Sequence, residues 1–184
     1  MNLRLLYKAI GLSAIVTLLC GLVYSAAQQD IRLSANNPQI QMAEDIAVKL
    51  AHDEPVNSVV SSTMVNIAES LSPFVMVFDV EGHVLVSQAM LDGTIPMPPQ
   101  GVFSFVGTKG EDRVTWQPRL GVRMAAVVVK VGGANSGYIL VGRSLREVEA
   151  LEDHIFRIVL IGWIVIEFVV LVYVFLPLKR RFNT

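Results

Sequence analysis

The sequence predicts an α+β domain held between two membrane-spanning helices. Three observations carry that fold class. Residues 9–27 and 155–176 are apolar runs, each near the ~20 residues a helix needs to cross ~30 Å of hydrocarbon. The roughly 125 residues between them suffice for one domain with its own core. Within that stretch a helical period gives way, after Pro73, to short β-branched runs punctuated by Gly, Asp and Asn, the pattern of strands and turns.

The N-terminal flank, residues 1–8, carries Arg4 and Lys8, and the tail, residues 177–184, carries Lys179, Arg180 and Arg181. Short cationic flanks stay in the cytoplasm, whereas a long connecting domain is translocated largely regardless of its charge. Both termini are therefore expected to be cytoplasmic and residues 28–154 extracytoplasmic. The alternative is a cleaved signal peptide, with Ser25-Ala26-Ala27 as the small-residue site; it would leave the domain on the same side.

After the first span, Asn37-Pro38 reads as a helix start. Ile40, Ala43, Ile46, Ala47 and Leu50 then form one apolar face of a long helix, and a second short helix is expected over 56–70. Whether the first helix runs unbroken from the membrane or restarts at Pro38 is left open. Strands are expected at 74–78, 84–86, 113–117, 122–131 and 138–141, with Asp79–Gly82 turning the first pair into a hairpin. A short helix is expected over 101–106. The order gives one antiparallel sheet with helices on one face. Ser144-Leu145-Arg146-Glu147 fits a capping box, in which Ser144 accepts from the third helical N–H and Glu147 reaches back to the cap. From Leu145 to Leu176 only Gly162 interrupts, so sheet and second span are expected to be mechanically joined.

Charge and inventory narrow the chemistry. A formal net charge of -1 gives no footprint for nucleic acid. Residues 28–154 hold nine Lys/Arg against fifteen Asp/Glu, an acidic domain. The single cysteine, Cys20, lies in the first apolar run, and the three histidines (His52, His83, His154) show no ligand spacing. No metal site, disulfide framework or cofactor is expected. Without a phosphate loop, nucleophile elbow or catalytic constellation, an enzyme is not expected either.

The run Val77-Phe78-Asp79-Val80-Glu81-Gly82-His83-Val84-Leu85 resembles the first hairpin of bacterial extracytoplasmic PAS-like sensor domains of the single Cache (PDC) type. Gly137 to Leu145 looks like the final strand of such a domain entering its outgoing helix. The likeness covers about Gln28 to His154. It implies a PAS-like antiparallel sheet with a long N-terminal helix, as in membrane histidine kinases and chemoreceptors. It also implies placement in the inner membrane, pairing into a homodimer through the long helix, and a small organic anion as ligand. The sequence departs from that pattern after the second span, where such receptors carry HAMP, kinase or methyl-accepting domains. A membrane partner such as a histidine kinase is accordingly expected.

The candidate ligand-binding residues are Trp116, Arg119, Arg123 and Tyr138: guanidinium forks bind carboxylates bidentately, and aromatic faces stack. If 119–129 were one strand, Arg119 and Arg123 would share a face with Val127 and Val129. The competing reading puts Trp116 in the core and pairs the arginines with Asp79, Asp92 or Glu111. Asp79 is expected to hold its own turn, and His83 is a weaker candidate for a pH sensor. Glu167 falls mid-span, where an ionised carboxylate is costly, and alignment of the spans places it near Ser13 and Thr17. It either bonds across the two helices or contacts a partner. The expectation is a non-enzymatic sensor-like protein relaying a shift through its second span. The alternative is a structural adaptor of the cell envelope with no small-molecule ligand.

Overall fold

A computed structural model describes residues 3–34, 37–133 and 136–181, with side chains through Val174. The junction after the first helix, the middle of the Gly132–Gly137 turn and the last three residues of the tail lie outside the described residues. The chain forms two compact units, one of residues 3–32 with 150–181 and one of residues 33–149.

In the sheet unit, helix α2 (Asn37–Ala51) follows α1 (Leu3–Ser34). Ala43, Ile46 and Leu50 are buried at its 3.6-residue spacing and Gln39 joins them, as the apolar period predicted. The expected second helix shrinks to one turn, α3 (Val56–Val59). The chain then extends as β1 (Val65–Asn66), which pairs in parallel with β4 (Ala89–Met90).

Five strands build the main sheet: β2 (Phe74–Phe78), β3 (Val84–Ser87), β5 (Glu111–Arg119), β6 (Val122–Val131) and β7 (Gly137–Ser144). Their order is β3-β2-β7-β6-β5 and every pairing is antiparallel. The sheet is thus the one the sequence predicted, with α+β composition. Helix α4 (Gly101–Lys109) lies between β4 and β5 in the chain.

The sequence reading placed helices on one face only, and here the structure differs. One face carries Phe74, Met76, Phe78, Trp116, Met124, Ala126, Val128 and Leu140 against Val102 and Val106 of α4. The other carries Val75, Val77, Val127, Ile139 and Val141 against Ala43, Ile46 and Leu50 of α2. Two-sided cover explains why β2 is buried at all five positions; a strand packed on both faces has no polar side to alternate with. The outer strand β5 keeps alternation, with Trp116 in and Thr115 and Gln117 out. Pro118 and the charges of Glu111, Asp112, Arg113 and Arg119 protect this edge from further pairing.

Gln88 closes the hairpin side. Its Oε1 accepts from Val75 N at 2.9 Å and its Nε2 donates to Ser61 O at 3.0 Å. The side-chain amide thus gives Val75 N its acceptor where β3 passes into β4, beside the backbone bond from Gln88 N to Val75 O at 2.9 Å.

The helical unit holds α1 and most of α5 (Arg146–Arg181). Each contains an 18-residue window of mean hydropathy 2.0 and 2.6 respectively, long and apolar enough to cross a bilayer. Leu18, Leu22, Phe168 and Tyr173 are 65–74% exposed on these helices. Helix α5 continues past the expected end of the span, through Pro177 to Arg181.

Candidate functional site

The sheet unit has a groove of about 750 Å³ at the hairpin end, lined by Val80–His83, Met97, Pro98, Gln100, Phe103, Ser104, Gly107, Thr108 and Tyr138. Its size suits a small molecule. One wall is the β2–β3 turn. Asp79 Oδ1 accepts from Glu81 N at 3.0 Å and His83 N at 2.8 Å, and Gly82 adopts φ +87°. This is the self-bonding Asp turn expected from sequence. Partial burial alone would raise the Asp79 carboxyl, but the His83 backbone N–H, the His83 ring and the Glu81 N–H together outweigh it. The carboxyl is held below the ordinary carboxylate range.

The opposite wall is α4. Phe103 sits 4.8 Å from the Phe78 ring and 5.3 Å from the Tyr138 ring, centroid to centroid. A Cβ on Gly82 would lie 3.1 Å from the Phe103 ring, and one on Gly107 would lie 3.2 Å from the Tyr138 hydroxyl. Two residues without side chains therefore let turn, helix and tyrosine close around the cavity. Lys130, opposite Tyr138 in the ladder, donates from Nζ to Gly107 O at 3.1 Å and ties down the last turn of α4.

The four ligand candidates are not brought together. Tyr138 lines the groove. Trp116 shares its sheet face but is 7% exposed in the core, edge-on to Phe74 at 6.4 Å, and its indole N–H has no acceptor among the described residues. Arg119 and Arg123 are not on one strand. The turn at Leu120-Gly121, with Gly121 at φ +78°, ends β5 and starts β6. Arg123 does alternate with Val127 and Val129, which puts it on the face opposite Trp116 and Tyr138. Arg119 Nη1 meets both Asp92 oxygens at 2.6 and 2.7 Å, and Arg123 Nη1 meets Glu149 at 2.6 Å. Arg113 pairs with Glu111 at 2.9 Å. Each of these three cations is already neutralised locally.

The start of α5 is bound into the sheet unit. Leu145 N donates to Arg123 O at 2.9 Å. Arg146 donates to Ala68 O at 3.3 Å and Glu69 O at 2.5 Å. Glu149 holds Arg123, and Glu147 holds Arg143 at 2.5 Å. The expected capping box does not form. Ser144 Oγ accepts from Arg146 N at 3.3 Å, one residue earlier than expected, while Glu147 turns outward to Arg143.

In the helical unit, Ser13 Oγ donates to Glu167 Oε2 at 2.8 Å and Trp163 Nε1 donates to Thr17 Oγ1 at 3.0 Å. Span alignment placed both Ser13 and Thr17 near Glu167; Ser13 bonds it, while Thr17 is taken by Trp163. Glu167 Oε1 is buried without a partner among the described residues. Arg32 pairs with Glu152 at 2.8 Å, and hydrogen bond and charge together raise its pKa.

Sequence reasoning missed most of the groove: Met97, Pro98, Gln100, Phe103, Ser104, Gly107 and Thr108. The sequence reading puts Gly107 at the start of a turn just past the expected helix 101–106; α4 instead runs on through it to Lys109, and an interior helical glycine often marks a close approach. Comparison with known protein families, curated proteins and solved structures gave no match.

Proposed function

We propose that the chain is a two-span membrane protein with a PAS-like sensor domain on the extracytoplasmic side. The domain takes a small ligand in the groove beside Tyr138 and passes a shift along α5 to a partner in the membrane. The observation that carries this reading is the anchoring of α5. Arg146, Glu147 and Glu149 tie its first turn to β6, β7 and the Ala68–Glu69 backbone, and the same helix contains an apolar span. A change in the sheet has a short, bonded route into that helix. The cationic flanks support the stated orientation.

The test is a small-molecule screen by thermal shift on the full chain in nanodiscs, repeated with Ser104→Trp. Ser104 is an exposed lining residue, so the indole fills the groove without entering the core. Stabilisation by a ligand at about 100 times its Kd is roughly 2.7 kcal/mol. Hits lost in the variant support the reading. Silence across a broad library, from protein that unfolds cooperatively, refutes it.

An envelope adaptor is the second reading. Leu120, 92% exposed at the β5–β6 turn, is an apolar tip suited to a protein partner.

A further inference from the structure

We infer that the groove selects a small organic cation, an amine carried on an apolar or aromatic body, and not the organic anion expected from the arginines. The inference rests on the sensor reading and assigns its ligand class.

Charge is the first argument. Besides the Tyr138 phenol, the acidic and basic side chains lining the groove are Glu81 and His83. Among the described residues no Lys or Arg pairs with Glu81, whose carboxylate is the free charge at the rim. Asp79 stands behind it, and one ligand atom from each of Asp79, Glu81 and His83 falls within 4.8 Å of the others. The His83 ring is already engaged, with Nδ1 at 3.0 Å from Asp79 Oδ2. Neither Lys109 nor Lys130 lines the cavity, and the Lys130 ammonium is held by the Gly107 carbonyl. Arg113, Arg119 and Arg123 are bound to carboxylates elsewhere. An anion entering here would meet the Glu81 carboxylate at the lining, while the Lys130 ammonium stands outside the lining and is turned to the Gly107 carbonyl.

The walls supply the second argument. Phe103 and Tyr138, their rings 5.3 Å apart, line the same cavity that Glu81 borders. An ammonium beside a ring face is attracted by the ring quadrupole. Met97, Pro98 and Val80 line the remaining apolar surface, which suits the ligand's body. The Tyr138 and Ser104 hydroxyls can accept from ammonium N–H groups. A cavity of about 750 Å³ is far larger than a bare metal ion needs, so the acidic rim is read as orienting an organic ligand.

Full-length chain in zwitterionic nanodiscs, with empty nanodiscs subtracted, is titrated calorimetrically with three probes of similar body: phenethylamine, benzyl alcohol and phenylacetate. The expected result is saturable binding of phenethylamine above both others. Glu81→Gln should weaken it roughly three- to tenfold, the range for a partly exposed charge pair against a ring face, and Ser104→Trp should abolish it. Both variants must first match the parent's thermal midpoint without probe. If phenylacetate or benzyl alcohol binds as tightly and is lost in Ser104→Trp, the groove is a ligand site and the cation assignment is overturned. Phenethylamine affinity unchanged by Glu81→Gln also overturns it. Failure of all three probes overturns it as well, and the broad screen then decides separately whether the groove binds anything.

Discussion

Gly142 sits under the ring of Phe74, and adding one methyl there should unsettle the whole sheet unit. A Cβ at Gly142 would lie 2.4 Å from Phe74 Cζ and 2.8 Å from Cε2, whereas carbon atoms pack at about 3.5–4.0 Å. The ring would have to retreat by about 1 Å. It has little room, because Phe74 is 1% exposed and packs edge-on against Trp116. Overpacking of this kind costs about 1–3 kcal/mol, and for a unit of this length that lowers the midpoint by roughly 5–10 °C. The assay is thermal unfolding followed by Trp116 fluorescence in a Trp163→Phe background, since the chain has two tryptophans. Phe74→Leu, which removes the offending ring atoms, is destabilising alone through the space it leaves. Combined with Gly142→Ala it should cost about 1 kcal/mol or more less than the sum of the two, because the added methyl occupies that space. Strict additivity, or a Gly142→Ala shift below about 1 °C, would show that Phe74 does not lie on Gly142 and would refute the packing described.

Three further outcomes are expected. In a Cys20→Ser background, Leu120→Cys should react with a membrane-impermeant maleimide on intact cells; labelling only after lysis would overturn the orientation. Asp79 contributes stability through a depressed carboxyl pKa, so its contribution is full above the ordinary value and is lost as pH falls below about 4. The stability gap between parent and Asp79→Asn should therefore narrow as pH falls through and below the ordinary carboxylate value, and parallel pH profiles would contradict the turn geometry. Arg146→Ala removes two hydrogen bonds to backbone oxygen and should cost about 1 kcal/mol, as exposed charge-assisted bonds do. If the α5 relay is real, it should also blunt any ligand-dependent change read by a probe placed in α5, and an undiminished response would remove Arg146 from the route.

The local pattern carried much of the fold. Phe74–Phe78 and Val122–Val131 announced themselves as strands by density of β-branched and aromatic residues, and Asp79–Gly82 as a turn by its own chemistry. The same density in β2 also implied cover on both faces, which the one-sided arrangement overlooked. The short α3 and the β1–β4 pair were illegible because two-residue strands have no period to read. At the site the limit was parity. Two residues of turn between Arg119 and Arg123 put them on different strands, so their shared face could not be counted through as one run. The groove was harder still, since it joins residues 80–83, 97–108 and 138, and side chains so far apart in sequence leave no common rhythm. Partners such as Asp92 for Arg119 were nameable only as one of several acids.

The two glycines of β7 give the sheet something like a keyed lock. A Cβ at Gly137 would fall 2.1 Å from Phe78 O, and one at Gly142 would strike the Phe74 ring, so both ends of the β2–β7 pairing demand a residue without a side chain. Sliding β7 by two positions would keep inward residues inward yet bring Leu140 or Ser144 opposite Phe74. The tolerance for such a slip is therefore close to nil. Because Ser144 ends this strand and α5 opens two residues later, the point at which the outgoing helix leaves the sheet is fixed by address rather than by fit.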